Sequence, residues 1–308
     1  MRHLKTVVAL ALVIAFAPPA LAEEPPLKVV PVAKDVYALV GEALQRSPKN
    51  LGNNATFGVV VTPAGVVLVD PGGSLKGAKM IAAAIKTVTD KPVVAVINTG
   101  GQDHRWFGND YFMKRGAKVY AANNAVEDQK ERVSDQLTGL EALIGADNVV
   151  GTVPVHADNT FDDSMELDVG GVHFLIANPA TAHSAGDSYV WLADRKVVFS
   201  GDIAYVDRML VINPESSLLG WIEAFEAVAA LKPKVLVPGH GRPDDIKRAQ
   251  FETYEYLVNL RDRTQEYIDG GGDAQGSVDI DQERFKVIPL FDQAGRRNAQ
   301  AAYVEMEF

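Results

Sequence analysis

The chain has no cysteine among its 308 residues. This absence excludes disulfide bonds, thiolate metal ligands and a thiol nucleophile. Any metal ion that this protein binds must therefore be held by histidine, by carboxylates or by neutral oxygen atoms.

Positive charge is also scarce. Lysine and arginine number 30 against 40 aspartate and glutamate residues, which gives a formal net charge of -10. No stretch rich in lysine and arginine interrupts this acidic balance. Nucleic-acid binding requires a basic face, so we expect no nucleic-acid partner.

The apolar run at the N-terminus, from Val7 to Ala17, is too short to span a membrane. Arg2 and Lys5 precede it, and Ala20-Leu21-Ala22 follows it with the small-x-small pattern of a cleavage site. Residues 1–22 are thus typical of a secretory signal peptide, with an uncleaved anchor as the alternative. We expect a periplasmic or secreted protein that has no membrane contact after signal removal.

Short apolar runs alternate with segments of helical spacing along the rest of the chain. Strands are predicted at Val36–Val40, Thr56–Val61, Val66–Asp70, Val93–Asn98, Lys118–Ala121, Met165–Val169, Val172–Ile176, Ser188–Leu192, Val197–Ser200 and Val235–Val237. Helices are predicted at Gly77–Val88, Asn109–Arg115, Ala125–Leu143, Leu218–Leu231 and Asp244–Asp269. The polar stretch 42–56 is expected to form a loop over a cleft.

Two strand-rich halves, each followed by helices, predict an α/β protein with a four-layer αβ/βα sandwich. We expect one domain over residues 23–270. A C-terminal tail over residues 271–308 is expected to contain one short helix, Arg296–Glu305.

Polar residues follow several of the predicted strands, where α/β folds tend to place ligands. The most informative stretch runs from Asn98 to Asn109 and reads N-T-G-G-Q-D-H-R-W-F-G-N. Three distant segments accompany it: T-A-H-S-A-G-D-S at 181–188, V-F-S-G-D at 198–202 and V-L-V-P-G-H-G at 235–241.

Together these segments resemble the motifs of metallo-β-lactamase-fold hydrolases, over roughly residues 30–245. The first resembles that family's N-T-H-x-H-x-D-H-x-x-G-N turn, which carries metal ligands. The other three resemble its G-H-T/S-x-G-D/S, S/T-G-D and V-x-P-G-H-G segments. The resemblance implies metal-ligand roles for His183, Asp202 and His240, and it gives Asp70 the role of an acid that steadies the ligand turn.

The interior of the first turn departs from the family pattern. In an ungapped register, Gly100, Gln102, His104 and Arg105 replace the four ligands. Glycine has no ligating side chain, glutamine offers only a weak neutral oxygen, and arginine stays protonated and cannot ligate. A divalent ion and a guanidinium about 4 Å apart repel by roughly 8 kcal/mol at an effective dielectric near 20. Arg105 therefore either points elsewhere or has replaced a second metal.

We accordingly expect one divalent metal, with zinc favoured and iron or manganese as alternatives. Its predicted ligands are His104, His183, Asp202 and His240. A shifted register, in which Gln102-x-His104 stands for the family's His-x-His, adds Gln102 as a weak ligand. His156 and His173 lack such a context and are expected to be surface or strand residues.

The sequence thus predicts a mononuclear metal-dependent hydrolase of a small-molecule ester, thioester, lactone or amide. Asp202 or Asp103 is the candidate proton shuttle. Arg105 is expected either to hold an anionic group of the substrate or to form a structural salt bridge. The alternatives are a catalytically silent binding protein and a mononuclear iron oxygenase that acts on a sulfur substrate.

Two further segments, Asp207-Arg208-Met209 and Asn298–Glu305, resemble a periplasmic branch of the family linked to sulfur-oxidation and quinoprotein systems. This resemblance is compatible with a periplasmic protein partner, and it does not specify a substrate.

Overall fold

The computed structural model describes residues 27–307, so the predicted signal peptide lies outside the described residues. The first sheet is mixed, and its seven strands lie in chain order. They are β1 (Lys28–Ala33), β2 (Val36–Val40), β3 (Thr56–Val61), β4 (Val66–Val69), β5 (Val93–Ile97), β6 (Lys118–Ala122) and β7 (Asn159–Phe161). Strands β1 to β4 pair antiparallel, and β4 to β7 pair parallel.

The second sheet has five strands in the spatial order β12-β11-β10-β9-β8. They are β8 (Ser164–Val169), β9 (Val172–Ala177), β10 (Tyr189–Leu192), β11 (Val197–Phe199) and β12 (Val235–Val237). The pair β11 and β12 is parallel, and the other pairs are antiparallel.

The described α-helices are α1 (Leu75–Lys86), α2 (Asp103–Trp106), α3 (Asn109–Met113), α4 (Asn123–Ile144), α5 (Ala146–Val149), α6 (Leu218–Ala230), α7 (Ile246–Ala249), α8 (Tyr256–Asp269) and α9 (Phe291–Glu307). Local capping explains where several of them begin. The hydroxyl of Ser74 accepts the N–H of Gly77 at the start of α1, and the hydroxyl of Ser217 accepts the N–H of Gly220 at the start of α6.

The two sheets pack face to face over a shared core that includes Val67, Ile97, Phe174 and Val190. Helices α1 and α3 cover the outer face of the first sheet, and α6, α8 and α9 cover the outer face of the second. The predicted four-layer αβ/βα sandwich is confirmed.

Several elements differ from the sequence-based expectation. The strands β1 and β7 were not predicted, because β1 contains Pro31 and β7 has only three residues. The long helix predicted over 244–269 is interrupted by a π-helical segment, Gln250–Glu255. The C-terminal helix begins earlier than expected, and Ala294, Ala299 and Ala302 pack it into the core.

Among residues 27–307, no helix is both long and apolar enough to cross a membrane.

Candidate metal centre

The ends of four strands bring the polar motifs together. Asp70 follows β4 and Thr99 follows β5, which is the parallel neighbour of β4. Asp202 follows β11 and His240 follows β12, and these two strands are also parallel neighbours. The carboxyl ends of both sheets therefore meet at one edge of the sandwich, as expected for a ligand site in an α/β fold.

Arg105 lies at the centre of this edge and is fully buried. Its Nε and Nη2 donate to the two carboxylate oxygens of Asp202 at 3.0 and 2.6 Å. Its Nη1 donates to Asp70 at 2.8 Å, and the remaining N–H groups reach the carbonyl oxygens of Gly239 at 3.0 Å and Thr56 at 3.4 Å. All five guanidinium N–H groups are thus directed at protein acceptors. None is left for the anionic substrate group that the sequence assigned to Arg105, so its geometry is that of the alternative, a structural salt bridge.

Burial and charge act in opposite directions on this pair. Burial alone lowers the pKa of Arg105, but the charges of Asp202 and Asp70 outweigh it and raise that pKa. Burial likewise raises the pKa of Asp202, but the adjacent Arg105 guanidinium holds it well below its usual range. Both groups therefore stay charged at neutral pH, and Asp202 is a weak proton acceptor.

His104 and His240 flank the same carboxylate. The Nε2 atom of His104 lies 3.5 Å from Oδ2 of Asp202, and the Nε2 atom of His240 lies 3.3 Å from Oδ1. Among the described residues, these three form a buried group whose ligand atoms all lie within 4.8 Å of one another. Bonds of 2.0–2.1 Å in tetrahedral geometry place ligand atoms roughly 3.4 Å apart, so the two measured separations suit one metal ion.

The outer ring nitrogens determine which way the imidazoles face. His240 Nδ1 lies 3.0 Å from the carbonyl oxygen of Asn54, and His183 Nδ1 lies 3.1 Å from that of Val211. A carbonyl only accepts, so both Nδ1 atoms carry the proton and both Nε2 atoms present lone pairs. Burial lowers the pKa of His183 to about 4 and that of His240 well below its usual value, so both rings are neutral at pH 7.

Asp103 lies on the far side of the His104 ring. Its Oδ1 accepts from Nδ1 of His104 at 3.0 Å and also contacts Nη2 of Arg46. Burial raises the pKa of Asp103, but the Arg46 charge and the His104 hydrogen bond together bring it below the ordinary value. Asp103 is thus placed to orient a histidine ring, in the way that carboxylates support metal-binding histidines.

A cleft of about 220 Å³ opens beside these groups, and Gln102, His183, Tyr205 and His240 line it. The ring of Tyr205 stacks on His240 with centroids 4.6 Å apart and meets His183 edge-on. The sequence-predicted residues Gln102 and His183 therefore face the same space as His240. His156 and His173 do not: His156 stacks on Trp106, and His173 is exposed on β9.

The sequence profile of the metallo-beta-lactamase superfamily matches residues 51–240 of this chain. The chain belongs to the metallo-beta-lactamase superfamily. That match contains Asp70, His104, Asp202 and His240, so the centre described above lies within it.

Individual relatives are distant. A metallo-beta-lactamase type 2 of Elizabethkingia meningoseptica is 27% identical over 191 residues, which is 61% of this chain and 68% of the relative. A linear primary-alkylsulfatase of a Pseudomonas species is 18% identical over 260 residues, or 69% of this chain. The match spans only 47% of that alkylsulfatase, about half its length.

Solved structures confirm the fold. A metallo-beta-lactamase from Pontibacter korlensis has a TM-score of 0.61 and 20% identity, with 76% of this chain and 99% of that chain covered. A double mutant of the sec-alkyl sulfatase PisA1 has a TM-score of 0.67 and 16% identity, with coverage of 91% and 50%. At these identities the likeness concerns the fold alone.

Within this metallo-beta-lactamase-like fold, the altered turn has no room for side chains at two positions. A Cβ atom on Gly100 would lie 2.6 Å from Oδ1 of Asp187, and one on Gly101 would lie 1.7 Å from Oδ2 of Asp128. Carboxylates therefore fill the space beside the first position of the family's ligand pattern. A side chain at residue 100 would have to displace the Asp187 carboxylate.

Two residues of the site were not foreseen from the sequence. Arg46 reaches Asp103 from the stretch between β2 and β3, and Arg208 lines the cleft from the segment after β11. Nothing in the polar composition of residues 42–56 singles out Arg46, because its partner is 57 residues away. The sequence indicates Arg208 only as part of the segment Asp207-Arg208-Met209, without a role in the site.

Proposed function

We propose that this protein is a metal-dependent hydrolase that binds a single divalent ion, with Arg105 as a fixed cation in place of a second ion. The ligands are His104, His240 and Asp202, and His183 faces the open side. Zinc is the favoured metal, because neutral imidazoles and a carboxylate are its common ligands in proteins that lack thiolates.

One observation carries the proposal. The Nε2 atom of His104 is buried without a hydrogen-bond partner among the described residues. Nδ1 of His104 lies 3.0 Å from Oδ1 of Asp103 and 2.7 Å from Nη2 of Arg46, and we assign its proton to Nδ1, directed at the carboxylate. With this tautomer the Nε2 lone pairs of His104 and His240 both face the Asp202 carboxylate. Lone pairs that converge on a carboxylate in a buried space favour a cation between them.

The charges of the surrounding groups also favour a cation. The buried cluster of Arg105, Asp70 and Asp202 holds one positive and two negative charges. Arg105 alone would repel a divalent ion by roughly 8 kcal/mol at 4 Å and an effective dielectric near 20. The carboxylates of Asp70 and Asp202 more than offset this repulsion for one ion. The cluster contains no further carboxylate that would offset the repulsion of a second ion.

A bound divalent ion would supply Lewis-acid polarisation of the scissile carbonyl and a nucleophile at neutral pH. The protein residues supply positioning: Asp103, which is itself bound by Arg46, holds the His104 ring, and the Asn54 carbonyl holds the His240 ring. Asp202 and Asp103 have lowered pKa values, which suit anchoring better than the proton-shuttle role expected from the sequence. A small-molecule ester, thioester, lactone or amide remains the proposed substrate.

The test is a hydrolysis assay with chromogenic esters, thioesters, lactones and amides on protein purified without chelator. We expect turnover of at least one class, its loss after chelation, and its return with one equivalent of zinc, manganese or iron. The variant His240→Ala should lose both the metal and the turnover, whereas His173→Ala, at an exposed site, should lose neither. Protein that takes up no metal under any of these conditions would instead be a silent binding protein.

The cluster also favours a second candidate. Two histidines and one carboxylate are the ligand set of mononuclear non-haem iron oxygenases, and His104, His240 and Asp202 provide that set. Iron as the main metal of anaerobically purified protein, with oxygen uptake on addition of thiol substrates, would favour an oxygenase over a hydrolase.

The composition of residues 1–22 supports a periplasmic or secreted location for this activity. Cell fractionation should find the processed chain outside the cytoplasm, and an unprocessed cytoplasmic chain would contradict this proposal.

A further inference from the structure

Arg208 is a largely buried cation that forms no ion pair with the described residues. Its Nε and Nη1 atoms are buried and have no hydrogen-bond partner among the described residues. Burial lowers its pKa, and the nearby charge of Arg46 also lowers it, whereas Tyr205 and Asp202 raise it without offsetting the burial. Buried arginine nitrogens without acceptors are costly, so a side chain in this state points to a missing anionic partner.

The backbone before Arg208 holds the side chain at the cleft. Asp207 has a φ of +63°, a conformation that non-glycine residues rarely adopt. The Asp207 carboxylate accepts from the backbone N–H and Nε of Arg242, and its own N–H donates to Glu252. The N–H of Met209 donates to the carbonyl oxygen of Pro289. These contacts tie the segment down on both sides of Arg208.

The cleft into which Arg208 projects is cationic. Arg46, Arg208 and Arg297 all line it, together with His183 and His240, and none of its lining residues is an aspartate or glutamate. Arg46 is neutralised by Asp103, and Arg297 donates to the side chain of Asn213 at 2.7 Å. Neither Arg208 nor Arg297 pairs with a carboxylate among the described residues, and Arg208 has two buried guanidinium nitrogens without an acceptor.

An apolar groove continues from the cleft along helix α9. This groove of about 460 Å³ is lined by Ile212, Pro214, Ala301 and Val304, and it shares Asn213 and Arg297 with the cleft. Val304 is half exposed. A molecule that places an anionic group at Arg208 can thus lay an apolar body against α9 without leaving the continuous depression.

We propose that the cleft selects an amphiphilic organic anion, with its oxyanion on Arg208 and its apolar body in the α9 groove. This inference rests on the proposed function in one respect: it treats the cleft as the substrate site of the hydrolase. It adds the chemical class of the substrate, and its test does not require turnover.

The test is calorimetric titration with octyl sulfate, octanoate and octan-1-ol, on chelator-treated and on zinc-loaded protein. We expect both anions to bind at least tenfold more tightly than the alcohol in either form of the protein. Comparison of the affinities for octyl sulfate and octanoate shows whether the site prefers a tetrahedral sulfate or a planar carboxylate. An alcohol that binds as tightly as the anions would overturn the proposal.

Variants separate the two halves of the site. Arg208→Gln should remove the preference for anions, Arg208→Lys should keep part of it, and Arg263→Gln, an equal charge change on the exposed face of α8, should leave it intact. Val304→Asp should weaken octyl sulfate binding at least threefold and leave ethyl sulfate binding unchanged. Equal binding of inorganic sulfate and octyl sulfate would overturn the role of the groove.

Thermal melting distinguishes a ligand-binding arginine from a structural one. Without added anion, Arg208→Gln should melt at the wild-type temperature or above it, because a buried unpaired cation is lost. A large fall in Tm would contradict the proposal. Loss of hydrolysis with retained anion binding would overturn the proposed function alone, and metal-dependent hydrolysis without anion preference would overturn this inference alone.

Discussion

Arg105 donates from Nε and Nη2 to the two carboxylate oxygens of Asp202, and both side chains are almost completely buried. This bidentate pair places a permanent cation against the carboxylate that also faces His104 and His240. Arginine can form such a pair because its guanidinium is planar and stays protonated, which a lysine at the same position cannot reproduce. One metal ion can then bind on the side of the Asp202 carboxylate that faces His104 and His240.

Arg105→Met should destabilise the fold by about 3–5 kcal/mol, because Asp70 and Asp202 lose their buried counter-charge. Urea unfolding of chelator-treated protein measures the change. Arg105→Lys should lose less, since it keeps the charge. Arg263→Met, at an arginine on the exposed face of α8, should leave stability almost unchanged. A loss below about 1 kcal/mol for Arg105→Met would refute the role of this pair.

Arg46→Gln should weaken zinc binding by about 10–100-fold, because residues that orient a ligating histidine tune its affinity by that amount. The variant frees Asp103, which contacts both Arg46 and Nδ1 of His104. Competition with a chelating dye measures the dissociation constant. Arg297→Gln, at the same cleft but without contact to Asp103, serves as the control and should bind zinc normally. An unchanged constant for Arg46→Gln would show that Asp103 does not act through this arginine.

Gly101→Ala should destabilise the protein by about 1–3 kcal/mol, since the added methyl group meets the Asp128 carboxylate. Asp128→Ala in the same chain should recover most of that loss, and a double-mutant cycle measures the coupling. Gly139→Ala, in α4 with nothing within 4 Å of the new atom, should be neutral or stabilising. Additive effects at residues 101 and 128 would be inconsistent with the packing of this turn.

Asp187→Asn should change how stability depends on pH. Burial, reinforced by the charge of Asp202, raises the pKa of Asp187 well above its ordinary 3.8. The folded state therefore retains a proton that the unfolded state releases above pH 3.8, so this group's contribution to stability is full below that pH and is lost as the pH rises. Relative to Asp187→Asn, the wild type should lose stability as the pH rises above 3.8, at up to about 1.4 kcal/mol per pH unit.

Unfolding free energies of both proteins, measured without metal over that range, provide the test. The comparison cancels the opposite contributions of His183 and His240, whose lowered pKa values make stability fall as the pH decreases. A difference between the two proteins that stays constant with pH would argue against a protonated Asp187.

Much of the fold could be predicted from local pattern. Alternating and apolar runs locate ten of the strands, because a strand buried between layers needs such residues along its length. The pattern fails where a strand is short or carries proline, as in β7 and β1. It also cannot show the π-helical segment Gln250–Glu255, since periodicity alone does not distinguish it from the helices on either side.

The site was predictable only in part. His104, Asp202 and His240 lie in the segments that follow strands β5, β11 and β12, and the sheet order brings them together as expected. The partners of Arg105 were not predictable, because its donors reach Thr56, Asp70, Asp202 and Gly239 from four separate segments. The side-chain direction of Arg46 depends on a similar long-range contact.

The most direct test of the central claim is the number of metal ions bound per chain, measured by native mass spectrometry with increasing zinc. We predict saturation at one zinc per chain for the wild type, and loss of that ion in His104→Ala. Two zinc ions per wild-type chain would contradict the replacement of a second ion by Arg105, and a chain that stays metal-free would contradict the centre itself.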